Sequence, residues 1–415
     1  MVRMVRRTER EQSGAARGHA RRLLTGRHGT WCRVGAGFLV SLAAACTTSR
    51  GSLAGARFTP EDLLAGAPLG VAEGSTASVV EAKDVLAVSP EMREFLNDHV
   101  DRKATDELKL HQLVSAIMGT DTFGVKYDTT TRTASETFRM RLGNCLSFSN
   151  MFVAMARDVG LKARFQEVDI PPDWTLDKDT YVLNQHVDVR VDLEPGGARV
   201  VDFNIADFRA SYEMQEISDG RAVAHFYNNV GAERMQAGDP ASALECFRRA
   251  LAADERHFSP AWTNLGTLYM RAGHPAHAES AYLQALKVND GDLVAMSDLA
   301  RLYDRLGERD RAANYRKKVI RHRWLNPYYR YELAREAYVA KRYDAAIGHL
   351  KYAMRKRPRE DQFYFLLGLS YLGKGDTQAA RRWLAKAEEV AATDALKRRY
   401  SRKVDTLLGT GADPR

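Results

Sequence analysis

One pattern returns five times between residues 224 and 391 of this 415-residue chain. A small residue recurs as Ala243, Ala278, Ala312, Ala346 and Ala380, at spacings of 35, 34, 34 and 34. Seven positions after each stand Ala250, Ala285, Val319, Ala353 and Ala387. Upstream of each comes an apolar residue followed by a small one: Val230-Gly231, Leu265-Gly266, Leu299-Ala300, Leu333-Ala334 and Leu367-Gly368. Aromatic residues lie beside them at Tyr227, Trp262, Tyr269, Tyr303 and Tyr371, and Gly238-Asp239, Gly273-His274, Gly307-Glu308 and Gly375-Asp376 supply turns. A unit of this length is one supersecondary element that cannot bury its apolar face alone, so it must stack on its neighbours. Ala and Gly at the contacts let helix axes approach closely, and the aromatic rings fill the remaining gaps.

This pattern resembles the tetratricopeptide repeat, with five units over 216–391. Residues 392–415 then give a capping helix and tail, the helix carrying Leu396, Tyr400, Val404 and Leu407 on one side. The resemblance implies an all-α superhelix whose concave groove binds a peptide or protein segment; a rigid spacer is the plainer alternative. Residues 321–359 hold eleven Lys/Arg against Glu332, Glu336 and Asp344. That basic stripe suits an acidic partner or anionic lipid head groups, or is a solvated helix face. Cys246, inside the first repeat, reads as a small core residue.

The middle of the chain has a different texture. Residues 90–118 read as helical, a polar stretch runs from Tyr127 to Thr133, and Gly143-Asn144-Cys145 opens a helix. On that helix Phe148, Met151, Phe152, Met155 and Val159 recur at helical spacing, and Gly160 ends it. A β run follows from Ala163 to Val168. After the Pro171-Pro172 break come two more, His186–Val191 and Arg199–Phe203, joined by a turn at Gly196-Gly197. The order is a Cys at a helix N-terminus, a His at the start of one strand and an Asp on the next. It resembles the transglutaminase-like (papain-like) cysteine domain, over roughly residues 105–210. The resemblance implies that Cys145 is the nucleophile, His186 the base and Asp202 the group that orients His186. Familiar members have Ala then Trp after the His, where this chain has Val187 and Asp188. They have Pro or another polar residue after the Asp, where this chain has Phe203.

Elementary chemistry stands beside the resemblance. A helix N-terminus and a neighbouring imidazolium lower a thiol pKa from about 8.5 to roughly 3.5–7.5. A carboxylate on an adjacent strand holds an imidazole in one tautomer. Amides at the helix start, that of Cys145 among them, suit a developing oxyanion. The blander readings are a buried structural thiol at Cys145 and a satisfied strand histidine at His186. Asp188 and Asp192, on one face of the strand of His186, compete with Asp202 for the orienting place.

The N-terminus reads as an address. Residues 34–45, VGAGFLVSLAAA, form a twelve-residue apolar run behind Arg33. A membrane-spanning helix needs about 20 residues, so the run has the length of a signal peptide core. Cys46 follows Leu42-Ala43-Ala44-Ala45, which resembles a bacterial lipobox and implies lipidation of Cys46. Thr47 after it is not the Asp associated with retention at the inner membrane. The expected place is the bacterial cell envelope, at the outer membrane and facing the periplasm. The net charge of +9 is mostly this leader, because residues 1–45 carry nine Arg and only Glu9 and Glu11. The rest is close to neutral, which argues against nucleic acid as a partner.

The expected fold class is thus an α+β papain/transglutaminase-like domain followed by an all-α tetratricopeptide-repeat superhelix. Its expected divisions are a signal peptide with a basic leader (1–45), a lipidated Cys with a tether (46–58), the cysteine domain with N-terminal helices (59–215), the repeats (216–391) and the cap (392–415). No Cys or His cluster has metal-ligand spacing and no phosphate-binding glycine loop occurs, so no metal, cofactor or nucleotide is expected. Three functions fit: a cysteine hydrolase cleaving an amide in a peptide or peptidoglycan-like substrate, an acyltransferase that crosslinks through an amine, and an inactive cysteine fold serving with the repeats as a scaffold of an envelope assembly.

Overall fold

The computed structural model describes residues 57–72, 77–119, 123–177, 180–194, 197–203, 214–254, 257–391 and 394–408. Helices α1 (Pro60–Ala65), α2 (Ala82–Val85), α3 (Pro90–His99) and α4 (Asp106–Met118) precede a short strand, β1 (Lys126–Tyr127). Next come α5 (Ala134–Met140), β2 (Leu142–Gly143) and α6 (Cys145–Asp158). β1 and β2 pair in parallel, Tyr127 opposite Gly143, and β2 leads straight into α6. Asn144 caps α6: its Oδ1 accepts from the Ser147 amide at 2.9 Å, and its Nδ2 donates to Thr131 Oγ1 at 2.9 Å. Phe148, Met151, Phe152 and Met155 on this helix are buried.

A four-stranded antiparallel sheet follows, ordered β5-β4-β3-β6, from β3 (Lys162–Asp177), β4 (Thr180–Leu193), β5 (Gly197–Val201) and β6 (Met214–Ile217). α6 packs on β3 and β4, with Phe148 stacked on Phe203 at 4.8 Å and the Arg157 guanidinium over the Phe165 ring. Two strand expectations need correction. β3 does not end at Val168 but continues through Pro171-Pro172 to Asp177. β4 begins at Thr180, so His186 lies inside that strand and not at its start. The prolines lack the N–H a ladder needs, and the register shifts between Asp169 and Trp174 before pairing resumes at Trp174 opposite Leu183. The prolines make an irregularity inside a long hairpin, which comes against the helical repeats.

The repeats are five helix pairs: α7 (Asp219–Gln236) with α8 (Pro240–Ala253), α9 (Ser259–Arg271) with α10 (Pro275–Val288), α11 (Leu293–Arg305) with α12 (Arg309–Leu325), α13 (Pro327–Val339) with α14 (Tyr343–Lys356), and α15 (Asp361–Gly373) with α16 (Thr377–Val390). The cap, α17 (Asp394–Leu408), packs on α16. The small residues sit where helices touch: a Cβ on Gly231 would stand 2.6 Å from Cε1 of Phe247, and one on Gly266 would stand 2.6 Å from the Tyr282 ring. Between the helices of a pair the chain enters the left-handed region at Gly238, Gly273, Gly307 and Gly375; in the fourth repeat Lys341 takes that place, at φ 59°.

Part of the expected 59–215 domain packs elsewhere. α1 lies on the repeats: Tyr269 donates to the Leu63 carbonyl at 2.5 Å, Arg248 donates to those of Leu64 and Ala65, and Phe58 stacks on His277 at 3.7 Å. The one buried residue of α1 is Leu63. α3, by contrast, packs on α6. α7 joins the sheet to the repeats. Glu167 on β3 accepts from Arg221 (2.6 Å) and His225 (2.5 Å) on α7, and Arg157 on α6 pairs with Asp219 at 2.6 Å. Burial pushes the Glu167 carboxyl up, but hydrogen bonds and charge from His225 and Arg221 outweigh it and hold the group at about 2.

Candidate active site

The structure brings Cys145, His186 and Asp202 together. Cys145 is the first residue of α6 and half-exposed. His186 Nε2–H donates to Asp202 Oδ1 at 2.8 Å, with both side chains about 7% exposed or less. The imidazole also meets the Cys145 thiol. With Nε2 turned to Asp202, Nδ1 is the nitrogen left for sulfur. Burial disfavours a charged imidazole here, but the partners Asp202 and Cys145 outweigh it and raise the pKa well above the usual histidine range. The site therefore favours an imidazolium at neutral pH. α6 spends its Ser147 amide on the Asn144 side chain and its Phe148 amide on the Asn144 carbonyl. Cys145 and Leu146, whose amides are the other two at that end, line a cavity.

Of the three aspartates competing for His186, Asp202 holds the place. Asp192 is turned to Arg190 (2.9 Å) and Arg164 (3.5 Å). Asp188 shares the strand face of His186 by alternation and is fully buried, and among the described residues neither of its carboxylate oxygens has a hydrogen-bond partner. The β4–β5 register, Val189 opposite Val201, carried one residue further sets Asp188 opposite Asp202. Burial first, and then the Asp202 charge, push the Asp188 carboxyl up to about 7, while His186 pulls it down.

Cys246 is buried, and burial pushes its thiol up to about 12, as a core residue should be. Cys46, the expected lipidation site, lies outside the described residues. Within the basic stripe of 321–359, the Arg330 guanidinium lies over the rings of Trp324 (4.6 Å) and Tyr352 (4.7 Å), and Arg335 pairs with Glu332. Among the described residues no group of three His, Cys, Asp or Glu side chains is placed to hold a metal ion, and no helix is long and apolar enough to cross a membrane.

The thiol opens into a cavity of about 310 Å3. Tyr127, Asn144, Leu146 and Val187 line it on the sheet side. The repeats form the other wall, with Asn228 and Asn229 from α7, Thr263 and Asn264 from α9, and Val294 from α11. Sequence reasoning missed this wall. Asn228-Asn229 stand within the repeat pattern, where nothing in the spacing tells a cavity from open solvent. A larger cavity, about 800 Å3, is lined by Phe95, His99, Phe123 and Phe138 and includes none of the three residues.

Comparison with known proteins finds both kinds of domain, with the first match running into α7. Residues 94–229 match the transglutaminase-like superfamily. Residues 231–292, 263–327 and 331–395 match the tetratricopeptide repeat. No curated protein sequence matches the chain. Among solved structures, one of a MamA protein is 20% identical, covering 46% of this chain and 98% of its own, with a TM-score of 0.22. YrrB, described as a TPR protein with an unusual peptide-binding site, is 17% identical, covering 43% and 92%, with a TM-score of 0.22. A MamA fragment from Desulfovibrio magneticus RS-1 is 17% identical, covering 40% and 94%, with a TM-score of 0.23.

Proposed function

We propose that this chain, a transglutaminase-like domain followed by tetratricopeptide repeats, is a thiol enzyme that opens amide bonds of a polypeptide through a thioester, with the repeats holding the polypeptide. The observation that carries this reading is His186, buried and hydrogen-bonded at 2.8 Å to Asp202 on one side while meeting the Cys145 thiol on the other, at the start of α6. In the reaction the thiolate of Cys145 attacks the amide carbonyl carbon, and the new oxyanion takes hydrogen bonds from the amides of Cys145 and Leu146. The C–N bond then breaks as His186 passes its proton to the leaving nitrogen, and a thioester remains. Water or a second amine resolves it, returning a proton to His186. Asp202 keeps the imidazole in register and stabilises its charge throughout.

The lipobox-like Leu42–Cys46 supports anchoring by acyl chains on Cys46 in the bacterial envelope, at the outer membrane facing the periplasm. Tethering there raises the effective concentration of a partner held on the same surface. Loss of radioactive palmitate labelling in Cys46→Ala tests the anchor.

The enzyme reading is tested by the pH dependence of Cys145 alkylation by iodoacetamide. The protein used lacks residues 1–46 and carries Cys246→Ala, so that one thiol remains. The expected thiol pKa lies well below about 8.5 and rises when His186→Ala is added. An ordinary thiol indifferent to His186 overturns the enzyme reading in favour of a binding scaffold.

A further inference from the structure

We infer that the first repeats are a part of the substrate site itself, in which Asn228 and Asn264 clamp the backbone of an extended stretch of polypeptide across from Cys145. The inference rests on the thiol reading above and adds the substrate class and the residues that select it.

The cavity that holds Cys145 and His186 is closed on its far side by α7 and α9. On that wall Asn264 Nδ2 donates to Asn228 Oδ1 at 2.9 Å. The bond fixes both amides. It leaves Nδ2 of Asn228 and Oδ1 of Asn264 with no further hydrogen bond among the described residues. A donor and an acceptor side by side are what a peptide group needs, one for its C=O and one for its N–H. Neither makes any demand on the peptide's side chain.

The ionisable groups of this wall already have partners. Asp292 accepts from Thr263 Oγ1 at 3.1 Å and from the Ala295 amide at 2.9 Å. His225 is committed to Glu167, and Arg271 has its own interaction. Apolar surface from Met235, Pro260 and Val294 stands beside the asparagines.

Size and rigidity point the same way. About 310 Å3 is at the small end of ligand cavities, enough for a short length of chain and too small for a folded domain. The Glu167–Arg221–His225 cluster and the Arg157–Asp219 pair hold α7 against the sheet. The clamp therefore stands at a fixed distance from sulfur, and little ordering remains to oppose binding.

The test uses two alkylating probes on the protein lacking residues 1–46 and carrying Cys246→Ala: iodoacetamide and N-acetyl-Ala-Ala-Gln chloromethyl ketone. Asn228→Ala with Asn264→Ala should lower the rate of the peptidyl probe relative to iodoacetamide about tenfold, the loss of two hydrogen bonds. Asn228→Asp keeps the acceptor for Asn264 but puts a charged acceptor in place of the outward donor; it should lower the same ratio, any effect of its charge on the thiol being read by iodoacetamide, and it guards against a folding defect in the double variant. An unchanged ratio in both variants overturns the clamp, as does an equal fall in both rates, which would mean that the asparagines act on the thiol. The iodoacetamide pH profile reads the thiolate separately, so a failed clamp and a failed enzyme give different results.

Discussion

Replacing Asp188 by Asn should stabilise the protein at pH 8 and leave its stability near pH 4 almost unchanged. Asp188 is fully buried and its carboxylate oxygens lack hydrogen-bond partners among the described residues. Like charges directly opposite one another on neighbouring strands are destabilising, and Asp202 stands opposite. In the unfolded chain the carboxyl titrates at its ordinary value of 3.8, and in the folded protein at about 7. Below pH 3.8 both states hold the proton and the group contributes nothing to the pH dependence. Between 3.8 and 7 the unfolded chain releases the proton while the folded protein keeps it, so stability falls as pH rises, by about 1.4 kcal/mol per unit. Above 7 the penalty is complete, about 4 kcal/mol at most. Asn keeps the shape and cannot ionise. The difference in urea midpoint between variant and parent, followed by tryptophan fluorescence at pH 4, 5.5, 7 and 8.5, should rise to a plateau above pH 7. A difference that is flat with pH, or an Asn variant less stable at pH 8, would refute the reasoning and mean that the carboxylate has a partner that stabilises its charge.

Other outcomes follow from particular contacts. Lys341→Gly removes a non-glycine residue from φ 59° and should stabilise the repeats by about 1 kcal/mol in urea unfolding, with alkylation of Cys145 unchanged. Gly231→Ala places a Cβ 2.6 Å from the Phe247 ring and should cost about 1–3 kcal/mol, read as a lower urea midpoint. Glu167→Gln loses the charge that holds α7 to β3. The group's pKa is depressed from 4.5 to about 2, so its contribution is present above pH 4.5 and lost as pH falls through 2. The variant should be less stable by about 3 kcal/mol at pH 7, with the difference shrinking toward pH 2.

The repeats were legible because their contacts are local. Gly231 meets Phe247 and Gly266 meets Tyr282, each sixteen residues on, so the demand for a small residue is written once per unit. The fourth turn was illegible because Lys341 carries no mark of a left-handed residue. The helix start at Cys145 was legible because its cap, Asn144, is the preceding residue. The Pro171-Pro172 pair misled because proline forbids a ladder hydrogen bond without forbidding an extended chain, and β3 steps over the gap.

By itself, then, the sequence determined that helices pair in a 34-residue repeat and that a thiol sits at a helix N-terminus, with a histidine and several aspartates on strands behind it. Each of these is set within a turn, a helix or one repeat. Only the tertiary structure decided that Asp202 faces His186 while Asp188 is buried opposite it, since that depends on the alignment of β4 with β5 and on what covers them. It also decided that Asn228 and Asn264, some 80 and 120 residues beyond Cys145, wall the same cavity. Strand register and domain docking depend on surfaces far apart in the chain, and no local pattern records which surfaces will meet.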